Sequence, residues 1–86
     1  MGREIEIGEV VKFFTKPSVA AIQITAENLK IGDILHYFGH TTDFREEILS
    51  MQIDNQNVQE ANAGDTIGIK VKERVREHDK VFKVTP

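Results

Sequence analysis

Thr66-Ile67-Gly68-Ile69-Lys70-Val71-Lys72 alternates apolar and small or charged side chains without a break. In an extended chain successive side chains point to opposite faces, so Ile67, Ile69 and Val71 turn one way and Gly68, Lys70 and Lys72 the other. A helix would scatter the three apolar residues around its circumference. The stretch is therefore a strand with one buried face, entered through the turn residues Asn62-Ala63-Gly64-Asp65.

Working outward, the same signal recurs. Val81-Phe82-Lys83-Val84 reads as a closing strand, and Glu73 to Asp79, charged around Val75, fits a single helical turn. At the other end Ile5 and Ile7 alternate with Glu4, Glu6 and Gly8, and the phase then shifts through Val10-Val11-Lys12-Phe13-Phe14. Alternation that changes phase implies a bulged strand, with Gly8 a natural place for the bulge. Thr15-Lys16-Pro17-Ser18 is turn chemistry, so Val19 to Ile24 should return as the second arm of a hairpin. Ile31-Gly32-Asp33 launches a third strand, Ile34 to Phe38, followed by the polar loop 39–43. From Phe44 to Ile53 the periods compete: Phe44, Ile48 and Met51 have helical spacing, whereas Leu49, Met51 and Ile53 alternate. The β character of every neighbouring segment favours a strand over about 46–53. Asp54-Asn55-Gln56-Asn57 is a further turn before a short segment at Val58.

Six or seven short strands at regular spacing predict an all-β fold, a small closed barrel that leaves no exposed sheet edges. With 86 residues the chain is expected to form one domain, 1–86. Ile7 aside, the expected core is Val10, Ile22, Ile24, Leu29, Ile31, Ile34, Leu49, Met51, Ile53, Ile67, Ile69, Val71 and Val81. Val11, Phe13 and Tyr37 are candidates for an exposed apolar patch.

Composition narrows the chemistry. There is no Cys, hence no disulfide framework or thiol nucleophile, and no apolar run approaches the roughly 20 residues of a membrane helix. A small cytoplasmic domain is the expectation. Neither a phosphate-binding loop nor a dinucleotide fingerprint is present. His36 and His40, four apart on a strand, would sit about 13 Å from one another, too far to share an ion even with Asp43 near. Ser18 and Ser50 lack a nucleophile-elbow context, and Asp43, Glu46 and Glu47 read as solvated charges. These absences predict no catalytic residues, no metal and no cofactor.

The net charge is −3 but unevenly spread: residues 27–65 carry −6 and residues 70–83 carry +3. Lys70 and Lys72 project from one face of their strand, Arg74, Arg76 and Lys80 follow, and Lys12 and Lys16 flank the first hairpin. Arginines fork onto phosphates and lysines serve as point charges, so these seven residues are the candidate RNA-binding set. Phe13, Phe14 and Phe82 are better placed in the core than as stacking platforms. The acidic stretch Asp43 to Glu47 offers a basic partner a complementary surface.

Three motifs in order add a resemblance over nearly the whole chain: Gly8-Glu9-Val10, Leu29-Lys30-Ile31-Gly32-Asp33, and Ala61-Asn62-Ala63-Gly64-Asp65-Thr66-Ile67-Gly68. They resemble the second, β-barrel domain of translational GTPases of the elongation factor Tu type. Phe13 to Ala20, Gly39 to Phe44, Ser50 to Ile53 and Val71 to Val81 look like free-standing translation elongation factor-like proteins. A similar barrel closes the C-terminal end of a peptidase-like family implicated in RNA modification. The resemblance implies a Greek-key barrel and a translation-related module that is not an enzyme and binds no GTP. Its implied partner is RNA (tRNA or rRNA) or the ribosome. The alternative expectation is a protein-interaction barrel that docks on a larger protein without touching RNA.

Overall fold

The computed structural model describes residues 2–85. Ten strands follow one another: β1 (Arg3–Phe14), β2 (Val19–Ile24), β3 (Asn28–Lys30), β4 (Ile34–Phe38), β5 (Asp43–Glu47), β6 (Met51–Ile53), β7 (Gln56–Val58), β8 (Glu60–Asn62), β9 (Thr66–Lys70) and β10 (Lys80–Thr85). Eight make one antiparallel sheet in the order β5-β4-β10-β1-β2-β9-β6-β7, while β3 and β8 pair separately as a two-stranded ribbon. The fold is all-β, as expected. Among the described residues no ladder joins the β5 edge to the β7 edge, so by backbone pairing the sheet is open, and the strands outnumber the six or seven expected. The count rises because four of the strands are only three residues long.

Connectivity forces the open sheet to curl. β5 and β6 stand six places apart in the strand order, which in a flat sheet would be about 29 Å. Only residues 48–50 join them, and four Cα steps span at most about 14 Å. The long strand β1 permits the bend. Its register against β10 shifts between Glu6 and Gly8, and against β2 between Val10 and Lys12. Each extra residue bends the strand and increases its twist. The phase change read in the sequence is this pair of irregularities.

Three turns share one construction. In Lys30-Ile31-Gly32-Asp33 the Asp33 N–H donates to the Lys30 carbonyl, and the Asp33 carboxylate accepts from the Lys30 N–H at 2.9 Å. Asn62-Ala63-Gly64-Asp65 repeats it, with Asp65 accepting from the Asn62 N–H at 2.8 Å. Gly32 and Gly64 occupy the third position at φ 97° and 99°, a region glycine enters without a Cβ penalty. Arg76-Glu77-His78-Asp79 is built alike, with His78 at φ 75° and Asp79 accepting from the Arg76 N–H at 2.8 Å. The helical turn expected over 73–79 is therefore absent. Val75, fully buried, anchors that segment instead.

The core joins Ile7, Val10, Ile22, Ile24, Leu29, Met51, Ile67, Ile69, Val71 and Val81, all expected, to Ala20, Leu35, Tyr37, Phe44, Ile48, Ala61 and Val75, which were not. Ile31 and Ile53 pack against it only partly buried, and Ile34 is likewise half-buried. Leu49 is corrected outright, at 79% exposed. The expected single strand over 46–53 is two strands, β5 and β6, and Leu49 lies on the link between them. Once Phe44 and Ile48 face inward, Leu49 is left facing out. The expected patch of Val11, Phe13 and Tyr37 breaks up, because Tyr37 is fully buried while Val11 is 43% exposed.

Candidate functional site

The seven basic residues have different immediate surroundings. Lys12 holds its Nζ 5.2 Å from the centre of the Phe14 ring, and Lys16 lies in the β1–β2 turn. Lys70 and Lys72 line a groove with Glu46, Glu47, Leu49, Ser50 and Val71. Arg74 and Arg76 line a different groove with Phe13 and Thr15, and Arg76 donates from Nε to Thr41 Oγ1 at 2.8 Å. Lys80 stands 3.6 Å from Glu6 on the neighbouring strand. Alternation correctly aims Lys70 outward from β9. It carries no information about where residues beyond the strand's end will go.

The two histidines also part. His40 lies in a shallow groove with Phe38, Glu77 and His78, whereas His36, at 8% exposed, sits in the middle of β4. From β1, two places away across β10, Glu4 Oε1 lies 2.8 Å from His36 Nδ1, and on the adjacent β5 Asp43 Oδ1 lies 2.6 Å from Nε2. Arg45 Nη2 donates to the other Glu4 oxygen at 2.7 Å. Only a doubly protonated ring can donate to both carboxylates. Burial works against that charge, but the hydrogen bonds to Glu4 and Asp43 outweigh it and His36 holds its proton above the ordinary 6.5. Glu4 is shifted below 4.5, first by its hydrogen bond to His36 and then by Arg45. Phe38 and Phe82 flank the imidazole at 5.7 and 6.1 Å between ring centres. The result is a self-neutralising outer face. Among the described residues no cluster of three or more His, Asp or Glu side chains has the geometry to hold a metal ion.

The least settled chemistry lies where β5 meets the segment after β9. Phe44 and Glu46 share the inner face of β5, so Glu46, read from sequence as a solvated acid, is turned inward. One of its oxygens accepts from the Lys72 N–H at 3.2 Å. The other, Oε1, is buried and without a hydrogen bond, and so is the hydroxyl of fully buried Tyr37. The two groups face each other closely enough to shift each other's ionisation. Burial raises the Glu46 pKa above 4.5 despite the opposing Lys72 N–H and charge, and the like charge of Glu73 adds to the rise. Burial, reinforced by the negative charge of Glu46, lifts the Tyr37 phenol far above its ordinary 10.0. The phenol ring stacks on Phe44 with centres 4.9 Å apart, and Lys72 Nζ lies 5.9 Å from the centre of the Phe44 ring. Sequence held one usable clue: in Phe44-Arg45-Glu46 an apolar residue two positions away shares the face of Glu46.

The fold defines a small antiparallel β domain of a kind found at the end of larger proteins. Its architecture matches the C-terminal domain of a Geobacillus thermoleovorans putative U32 peptidase with a TM-score of 0.84, covering 91% of this chain and 90% of that one at 18% identity. Among curated proteins, an uncharacterized protease of Methanocaldococcus jannaschii is 46% identical over 81 residues, 93% of this chain and 20% of that protein. A collagenase of Porphyromonas gingivalis is 33% identical over 82 residues, 94% of this chain and 20% of that protein. No family model matches the chain. The chain thus spans about a fifth of the length of the curated relatives it matches.

These relatives overturn the translation reading. Nearly the whole chain aligns with proteins named protease and collagenase, so the likeness to free-standing elongation factor-like proteins, and the RNA-binding role drawn from it, are corrected. The expectation that the chain is not an enzyme is corrected with them, since the proteins it aligns with are named protease and collagenase. Two of the three motifs behind that likeness mark the turns at Lys30–Asp33 and Asn62–Asp65. Turn geometry is common to unrelated functions.

Proposed function

We propose that this chain has a protease-related function, as the counterpart of the C-terminal domain of U32-type peptidases. The observation that carries it is the 46% identity to the M. jannaschii protease across 93% of the chain. The test is an exchange. The fifth of the P. gingivalis collagenase that aligns with this chain is replaced by it, and collagen cleavage is compared with that of the parent and of the protein lacking that fifth. Cleavage restored above the shortened protein supports the reading. A folded chimera no more active than the shortened protein refutes it.

We infer further that the curled sheet works as a barrel closed through side chains rather than through a ladder. The short 48–50 link and the bridge from the Glu46 carboxylate to the Lys72 N–H support this. In Glu46→Ala the Lys72 amide should exchange with solvent about tenfold faster, the loss expected from about 1.4 kcal/mol of hydrogen bonding to a charged group. An unchanged rate refutes closure by this bridge.

A further inference from the structure

We propose that His36 is a proton-operated latch on the edge strand β5: charged, it fastens the start of β5 to the sheet, and neutral, it keeps Glu4 and lets Asp43 go. The inference stands on the geometry of the outer face and not on the protease reading. His36 presents its two ring nitrogens to carboxylates on different strands, Nδ1 to Glu4 of β1 and Nε2 to Asp43 of β5. A neutral imidazole has one N–H, so one contact must then set a bare nitrogen against a carboxylate oxygen. Those lone pairs repel. Which partner is free to leave decides where the remaining proton sits.

The two carboxylates are held very differently. Glu4 Oε2 accepts from Arg45 Nη2 at 2.7 Å, and the Glu4 side chain is only 31% exposed. Asp43, with its side chain 65% exposed, makes no other side-chain hydrogen bond or ion pair among the described residues. Asp43 therefore turns into solvent at little cost while Glu4 stays, leaving the neutral ring with its proton on Nδ1 and Nε2 bare. The other charges on this face do not take the place of Asp43. Glu6 of β1 is paired with Lys80 of β10 at 3.6 Å, Arg45, opposite His36 on β5, is engaged by Glu4, and Glu47 lies opposite Ile34. On β4 itself the same face carries only Ile34 and Phe38.

Asp43 begins β5 directly after the loop whose Gly39 N–H donates to the Thr42 carbonyl at 2.8 Å. Gly39 and His40 of that loop line the groove shared with Phe38, Glu77 and His78. The Thr42 hydroxyl, donating to buried Asp79, remains as an inner anchor. Release thus loosens the outer corner of the β4–β5 hairpin, beside the groove, without unfolding it.

The experiment follows the isotope-labelled 86-residue chain through the titration of His36, by imidazole nitrogen shifts and by amide exchange. Above the midpoint Nδ1 should carry the proton and Nε2 none. The Gly39 amide, corrected for the intrinsic acceleration of exchange with pH, should exchange about tenfold faster one pH unit above the midpoint than one unit below. That is the effect of losing one charge-assisted hydrogen bond. The Ile22 and Ile69 amides should show no such step. Asp43→Asn should abolish the step, because its side-chain amide accepts from Nε2–H of the charged ring and donates to Nε2 of the neutral one. The proposal is overturned by a neutral His36 protonated on Nε2, or by a Gly39 amide indifferent to the titration, and neither readout needs a substitution. It is also overturned if the step persists in Asp43→Asn.

Discussion

Replacing Tyr37 by Phe should make this protein more stable, contrary to the usual outcome of altering a fully buried core residue. The substitution removes one oxygen and keeps the ring, so the stacking on Phe44 at 4.9 Å and the packing of the inner face survive. What is lost is a hydroxyl with no hydrogen-bond partner at a fully buried position. A buried polar group left unsatisfied costs about 1–3 kcal/mol, so a gain of about 1 kcal/mol is the conservative expectation. For a domain of this length that raises Tm by about 4–8 °C. Calorimetry is the suitable assay, because Tyr37 is the chain's single tyrosine and there is no tryptophan, so an optical probe would vanish with the mutation. A loss of about 1 kcal/mol or more would refute the reasoning. It would mean that the hydroxyl is satisfied in solution by the Glu46 carboxylate that faces it.

Three further outcomes are expected. Tyr37 is held protonated far above 10.0, so its stabilising contribution is complete below pH 10 and is lost as pH rises towards its folded-state value. Alkaline spectrophotometric titration should show phenolate appearing only together with unfolding, and a reversible native-state titration near 10 would contradict this. His36, raised above 6.5, stabilises fully below pH 6.5 and loses that contribution as pH rises through its folded value, whereas Glu4, lowered from 4.5, contributes above pH 4.5 and loses it on acidification. Imidazole NMR should therefore find His36 titrating above 6.5, and His36→Gln should flatten the stability profile on the alkaline side of that value; a His36 that titrates below 6.5 refutes the pairing. Gly39→Ala should cost about 1–3 kcal/mol in a denaturant titration, since its Cβ would fall 1.9 Å from an oxygen of Asp79, itself buried and held by the Thr42 hydroxyl and the Arg76 N–H. A neutral Gly39→Ala would show that this loop contact is not fixed.

Alternation and turn chemistry made most strands legible because both are local. Ile67, Ile69, Ile22 and Ile24 declare their face within a few residues, and the glycines of Ile31-Gly32-Asp33 and Ala63-Gly64-Asp65 declare their turns. The third turn of that kind went unseen because His78 occupies the glycine position, a conformation that the surrounding fold imposes on it. Longer-range facts were hidden for a different reason. Whether Leu49 or Ile48 is buried depends on how 48–50 crosses from one sheet edge to the other, which no local period encodes. The candidate site divides in the same way. Lys70 and Lys72 were singled out for their outward direction, but Glu46, Tyr37 and the carboxylates on either side of His36 acquire their chemistry from strands distant in sequence. Glu4 and His36 are 32 residues apart and are brought together only by the pairing of β1 and β4 with β10 between them.

Because Arg3 pairs directly with Thr85 across β1 and β10, the polypeptide enters and leaves this unit through adjacent doorways. A host protein could accommodate it in a surface loop with its own path scarcely diverted. Tying Thr85 to Arg3 by a few flexible residues, and reopening the circle at the Asp54-Asn55 hairpin, would give a permuted molecule with every ladder but the β6–β7 hairpin's kept continuous.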